Sequence, residues 1–407
     1  MRRNTAIKLL DPASRKLRGP GSYPLSKTKN VIMKHAVNTA RILVGLLFIF
    51  SGLVKAIDPL GLAFKMQEFF DVWAAEGMMT GMMHWLNEQA LLFSILMITL
   101  EVVLGIALLL GWRTKTVSWM LLLLMLFFTF LTSYVLFSGK IKACGCFGDC
   151  VPLTPIQTFA KDIVLLVLVL IILFGRKYIS PLFRGNVNGS LFLLSLFGVL
   201  ALQWYVLKHL PVKDCLPFKA GNNILELRKM PANAIPDKYD YIFVYKKAGE
   251  HKEFKVDALP DSTWEFAERK QILVEKGKNN VPLINDFVLK TASGNDSTEA
   301  VLSTPGAYYL LFIKEVNLLE KAGEDQRVAA LLAAGGKPVY IISSERNNTE
   351  ARYSNLETFG KPVNITVLNC DATALKTAAR NNITLYLMDG PVVKNKWGGN
   401  DINNALK

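Results

Sequence analysis

The chain has 407 residues, 51% of them hydrophobic, and carries a net charge of +14. That length allows two or three domains. The apolar residues crowd into five long runs in the first half, and everything after about residue 212 reads as ordinary soluble sequence. The basic excess alternates loop by loop, the pattern of membrane topology, so a nucleic-acid binder is excluded as a class.

Residues 1–35 form a basic head with Arg2, Arg3, Lys8, Arg15, Lys16, Arg18, Lys27, Lys29 and Lys34 against Asp11 alone. No small-residue cleavage site follows the first apolar run, which therefore reads as an uncleaved anchor. Membrane spans are expected at Ala36–Ile57, Leu86–Trp112, Thr116–Ser138, Phe159–Phe174 and Ser190–Leu210. Most match or exceed the roughly 20 residues that cross a hydrocarbon core, the fourth being the shortest. The partner these runs imply is the lipid bilayer. The head and the basic loops at Arg113–Lys115 and Arg176–Arg184 are expected on the cytoplasmic side of a bacterial inner membrane. Five crossings then carry the second half to the periplasm.

Between the first two spans, "LAFKMQEFFDVW" (Leu62–Trp73) has apolar residues at helical spacing and predicts an interfacial amphipathic helix. The second span carries Glu101, an acid at a depth where charge is costly and faces a bundle interior or cavity. Lys55, Lys161 and Asp162 are its candidate neighbours. A helix-packing salt bridge and a proton or quinone site are both open for it.

The loop between the third and fourth spans reads "KACGCFGDC" and holds Cys144, Cys146 and Cys150, three of the five cysteines. In the expected topology all five thiols lie on the outer side, where disulfides persist. Three readings stand. In the first, the loop is a redox device in which Cys144–Cys146 forms a tight bridge that Gly145 permits, Cys150 resolves it, and a quinone near Glu101 accepts electrons. In the second, the cysteines staple the turn through Cys146–Cys150 or Cys144–Cys150, or a bridge to Cys215 pins the outer domains to the bundle. In the third, the three thiolates with His84 or Asp149 hold zinc or copper. The spacing is a weak zinc signal, and no metal ligands are assigned.

Beyond the spans, "YIFVYKKAGEHKEFKV" (Tyr241–Val256) predicts two strands about a glycine turn, and residues 212–280 form a small β-rich region. From residue 281, strands at Ala307–Ile313, Pro338–Ser343 and Asn364–Asn369 alternate with helices at Leu318–Ala334 and Asp371–Asn381. A hairpin over Thr384–Trp397 closes the chain, so 281–407 is expected to be an α/β sandwich with a mixed sheet.

Residues 281–407 resemble the thioredoxin-like fold in its peroxiredoxin/TlpA-type form. "PLINDFVLKTASGNDST" (Pro282–Thr298) is similar to that group's opening hairpin, and "NITLYLMDGPVVKNKW" to its closing one. Where the family carries C-x-x-C, this chain reads Lys314–Glu315–Val316–Asn317, and Ile383 replaces the cis-proline. The resemblance therefore implies a degenerate module kept for binding or shape, with Cys370 a buried, idle thiol.

Residues 36–178 resemble the DoxX/MauE group through "LLFIFSGLVKAIDP", "LEVVLGIALLLG" and "CGCFGDCVPLTPIQTFAKDIVLL". The resemblance implies a four-helix membrane core tied to disulfide maturation, to which the helix at 187–211 adds a tether. The fold expected is this helical bundle, then the β-rich region and the α/β thioredoxin-like domain. The function expected is envelope thiol–disulfide chemistry through the CGCFGDC loop. The alternative is a non-catalytic scaffold whose residues 212–407 bind an envelope protein.

Overall fold

The computed structural model describes residues 25–406 except 142–144, 146, 248, 276, 320–322, 335, 354–356, 359–360 and 363–364. Its first half is helical: α1 Leu25–Ala56, α2 Pro59–Ala75, α3 Thr80–Glu88, α4 Ala90–Leu110, α5 Thr114–Ser138, α6 Pro155–Gly175 and α7 Gly185–Lys208. Among the described residues, α1 and α4 to α7 are the five helices long and apolar enough to cross a membrane. Side chains such as Leu123, Phe137, Phe174 and Leu194 point outward. An apolar exterior of that extent fits lipid and would be a liability in water. The fourth span is longer than expected because Thr154 caps α6 in a capping box with Gln157, with Pro155 in the first turn.

Helix α1 lies against α4 at backbone distance. A Cβ on Gly105 would stand 2.9 Å from the Gly45 carbonyl oxygen, and one on Gly52 would stand 2.5 Å from a Val102 methyl. Hydrophobic burial does not drive helices together in lipid, so such close packing through small residues is a main source of association. Val37, Val44, Leu104, Leu108, Leu121 and Val169 fill the bundle centre. The expected helix at Leu62–Trp73 lies within α2, and the shorter α3 follows it. Asp58 caps α2 by accepting from the Gly61 amide at 3.1 Å, and Pro59 opens the helix.

The second half is β-rich. After the short helix α8 (Ile224–Leu227), strands β1 Lys238–Lys247, β2 Glu250–Lys255 and β3 Glu265–Glu275 form an antiparallel sheet in the order β2-β1-β3. Tyr245 packs edge-on against Phe254 and Phe266, each at 5.8 Å, and Phe254 against Trp264 at 5.4 Å. These half-exposed aromatic contacts hold the small sheet beside Val244, which is buried.

Next come α9 Thr298–Leu302, β4 Ala307–Ile313, α10 Glu324–Ala334, β5 Val339–Ser343, α11 Arg346–Tyr353, the two-residue strands β6 Glu357–Thr358 and β7 Lys361–Pro362, β8 Thr366–Asn369, α12 Ala372–Ala378, β9 Ile383–Asp389 and β10 Val392–Gly398. A five-stranded sheet runs β10-β9-β4-β5-β8, with β4, β5 and β8 parallel and β9 antiparallel to both β4 and β10. On β4, Tyr308, Leu310 and Phe312 pack into one cluster while Tyr309, Leu311 and Ile313 pack into another. Burial on both faces requires cover on both faces, as in α/β folds.

The expected opening hairpin at Pro282–Thr298 is reduced to isolated bridges, Lys290 to Asp296 and Lys290 to Asn369. Gly294, with φ of +83°, turns the chain there before a second strand can extend. Helix α11 carries little helical signal in its sequence, RNNTEARY, which has almost no apolar face. Phe218 and Ile224, which follow α7 in sequence, belong to the core of the five-stranded sheet, and Phe218 meets Phe287 at 5.2 Å.

Candidate functional site

The α5–α6 connection turns through Gly145 and Gly148, whose φ angles of +71° and +58° favour glycine, and the Gly148 amide donates to the Gly145 carbonyl. Cys144 and Cys146 lie outside the described residues. Phe147 is buried beside Phe50 at 5.9 Å, with the Lys161 ammonium over its ring. Cys150 is bonded to Cys215, just past α7, with 4.9 Å between their Cα atoms, inside the usual range for a disulfide. Of the pairings the sequence leaves open, the structure holds the long-range one and not the two that would use Cys150 within the loop.

Two cavities meet at this disulfide. The smaller, of about 20 Å³, is lined by Lys55, Asp58, Lys65, Gly145, Cys150 and Cys215 among others. That is room for about one water. The larger is a cleft of about 630 Å³ between α2 and α12, with Cys215, Leu216, Pro217 and Pro152 also on its wall.

The α/β unit closes over this region. Arg380, after α12, reaches Asp58 Oδ2 through Nε at 2.7 Å and Asp149 Oδ2 through Nη2 at 2.6 Å. One buried guanidinium therefore bridges the cap of α2 and the residue beside Cys150. Phe64 of α2 presents its ring to Lys314, Lys376 and Arg380, at 5.2, 5.3 and 5.6 Å from the ring centroid. Lys376 also donates to Gln67 Oε1 at 3.0 Å. At the end of α7, Asn381 donates to the His209 carbonyl at 2.9 Å and Asp401 pairs with His209 at 2.8 Å. Lys396 meets Asp214, beside Cys215, at 2.6 Å.

Electrostatics follow from this closure. Burial pushes the Asp58 carboxyl up, against the pull of Arg380. Burial, with Arg380 next, lowers Lys314 to about 8. The Cys370 thiol is pushed up to about 12 by burial in the sheet core, which suits an inert thiol.

Inside the bundle Glu101 has its partner: Lys55 Nζ lies 2.6 and 2.7 Å from the two carboxylate oxygens, both side chains under 5% exposed. Lys161 instead pairs with Asp162 at 2.7 Å, and Asp162 also accepts from Thr132 at 3.1 Å. Lys55 also lines the 20 Å³ cavity beside the disulfide. Among the described residues no cluster of three metal-ligating side chains is present, and Asp149 is engaged by Arg380. Sequence reading missed Arg380, Asp58, Phe64 and Lys314, since partners 322 residues apart carry no local signal.

The membrane half matches the model of the Methylamine utilisation protein MauE family over residues 33–175. Residues 239–276 match a domain of unknown function, DUF8463, over β1 to β3. Protein TlpB of Flavobacterium psychrophilum is 32% identical over 142 residues, which are 33% of this chain and 36% of that protein. The chain thus spans about a third of the length of the curated relative it matches. No solved structure matches. With five apolar helices, a buried ion pair between α1 and α4, and the family match over four of those helices, the chain is a membrane protein with a MauE-like membrane domain.

Proposed function

We propose that the protein takes part in thiol–disulfide chemistry at the outer face of a bacterial inner membrane, with the cysteine loop as its redox element. The observation that carries this is the Cys150–Cys215 disulfide, which ties the loop of the MauE-like domain to the segment after α7 beside an open cleft. A persistent disulfide belongs in an oxidising compartment. That agrees with the basic loops lying at the other end of the bundle. Cys144, Cys146 and Cys150 are the candidate redox cysteines of the loop, and Cys215 joins them.

In this reading residues 36–178 are the core domain, 187–211 the tether, 212–280 the linker region and 281–407 a thioredoxin-like cap. The sheet order and the antiparallel closing hairpin support the thioredoxin-like assignment. Lys314 follows β4 where that fold carries its first catalytic cysteine. The cap's usual catalytic edge has become its docking edge, laid on Phe64 and Asp58. Glu101 acts as half of a packing ion pair.

The test is the thiol state of each cysteine in native membranes, read by alkylation before and after a pulse of reductant. Redox function predicts that Cys150–Cys215 opens and re-forms, and that Cys144→Ser or Cys146→Ser slows its return. A bond that never opens, with envelope disulfides unchanged in all the variants, overturns the proposal in favour of a scaffold. Specific geometry favours that second reading: the bond and the Arg380 bridge together fasten the cap to the bundle. A scaffold predicts that removing 212–407 abolishes co-purification of an envelope protein.

A further inference from the structure

Resting on the redox reading above, we infer that Cys215, and not a cysteine of the loop, is the sulfur that an incoming thiolate attacks, and that it does so from the cleft between α2 and α12. Cys150 and Cys215 both line the 20 Å³ cavity, but only Cys215 of the two lines the 630 Å³ cleft. A cavity that holds about one water admits no thiol compound. A cleft of 630 Å³ lies in the range that holds small molecules or a few residues of peptide. Both cysteines are partly exposed, but it is Cys215 that borders the cleft large enough to seat a thiol carrier, and which sulfur is attacked is governed by access as much as by chemistry.

The cleft suits a thiol on a carrier of low net charge. Its charged lining is already paired: Glu68 with Lys65, Asp71 with Asn87, Lys376 with Gln67, and Arg380 with Asp58 and Asp149. Leu216, Pro217 and Pro152 supply an apolar surface next to Cys215. The ligand class is a thiolate borne by a small thiol or by an extended peptide segment.

In the first step the thiolate forms a bond to Cys215 Sγ, the Cys150–Cys215 bond breaks, and its electron pair leaves on Cys150. Cys150 departs as a thiolate into the small cavity, whose wall carries Lys55, Lys65 and Lys213 together with Asp58, Asp149 and Asp214 and whose volume admits one proton-donating water. In the second step another thiolate of the substrate attacks the substrate sulfur of the mixed disulfide and releases Cys215 as a thiolate. The substrate dithiol is oxidised by two electrons and the Cys150–Cys215 pair is left reduced.

Full-length protein in lipid nanodiscs is exposed to reduced glutathione or to a short synthetic peptide with one cysteine. It is then quenched with N-ethylmaleimide and mapped by peptide mass spectrometry. The expected adduct sits on Cys215 with maleimide on Cys150, in about tenfold excess over the converse. Faster reaction of the peptide assigns a polypeptide source, and faster reaction of glutathione a free thiol. Thr373→Trp, a bulky change at an exposed cleft-lining position, is expected to slow Cys215 adduct formation several-fold. Adducts mainly on Cys150, or rates unmoved by Thr373→Trp, overturn the assignment while leaving the redox reading standing. No adduct on either cysteine, with the disulfide intact throughout, overturns both.

Discussion

Arg380 and Asp58 lie 322 residues apart in the chain and 2.7 Å apart in space. The contact joins the α/β unit to the first turn of α2, and the same guanidinium holds Asp149 next to the disulfide. Breaking a buried pair by removing one partner costs about 3–5 kcal/mol, because the remaining charges stay desolvated. Arg380→Ala is therefore expected to loosen the cap. Hydrogen exchange should rise together in α2 and α12, with β4 and β5 unchanged, and Arg380→Lys should recover part of the protection.

Lys55→Met alone or Glu101→Leu alone leaves an unpaired ion inside the bundle and is expected to cost about 3–5 kcal/mol. The double change Lys55→Met/Glu101→Leu removes both charges and should recover most of it. Thermal unfolding in one detergent, arranged as a double-mutant cycle, measures the coupling. Simple additivity of the two single variants would show that the pair contributes nothing.

The α1–α4 contact gives a steric prediction. Gly105→Ala places a Cβ 2.9 Å from both the Gly45 carbonyl oxygen and an Ile49 side-chain carbon. The helices must separate, at about 1–3 kcal/mol by the overpacking rule. Gly81→Ala, with nothing within 4 Å of the added carbon, is the matched control and should leave the melting temperature unmoved.

Lys314 supplies a pH dependence. In the folded, docked chain it stands at about 8 against its ordinary 10.5, by burial first and by Arg380 of its own unit second. Between these values the folded chain binds fewer protons than the unfolded one, so the docked structure gains stability as pH rises from about 8 to about 10.5. Below that window both states are protonated and the penalty for burying the cation is felt in full. Protection of α12 from proteolysis should increase over the window. Lys396, lowered by burial in the same direction, keeps a residual slope, so Lys314→Met should flatten the profile rather than abolish it.

Much of this architecture was legible because lipid and backbone leave plain marks on sequence. Runs such as Met120–Leu131 reveal spans, and the unbroken short apolar run Ala307–Ile313 fits a strand buried on both faces. The acid at Glu101 announced that it needed a partner, and Lys55 was among the three neighbours named for it. What stayed hidden is what depends on tertiary proximity. Asp149 read as a metal-ligand candidate, and only the fold brings Arg380 to it. Cys215 stood as one option for Cys150, since spacing says nothing about a partner 65 residues away. The opening hairpin was expected from resemblance, and its residues lack the alternation that would have held it.

The Cys150–Cys215 bond has a mechanical consequence. Helices α6 and α7 lie between the two cysteines, so the bond closes a covalent loop of chain threaded through the bundle by two spans that follow each other in sequence and pack on different neighbours, α6 on α5 and α7 on α4. The loop's free end is the connection at Arg176–Arg184, at the far side of the membrane from the sulfur atoms. A protease cut there would leave the two spans joined until the bond is reduced, and they would separate on a gel only afterwards. Within the bundle, α6 and α7 can slide past each other along the membrane normal only as far as that ring permits.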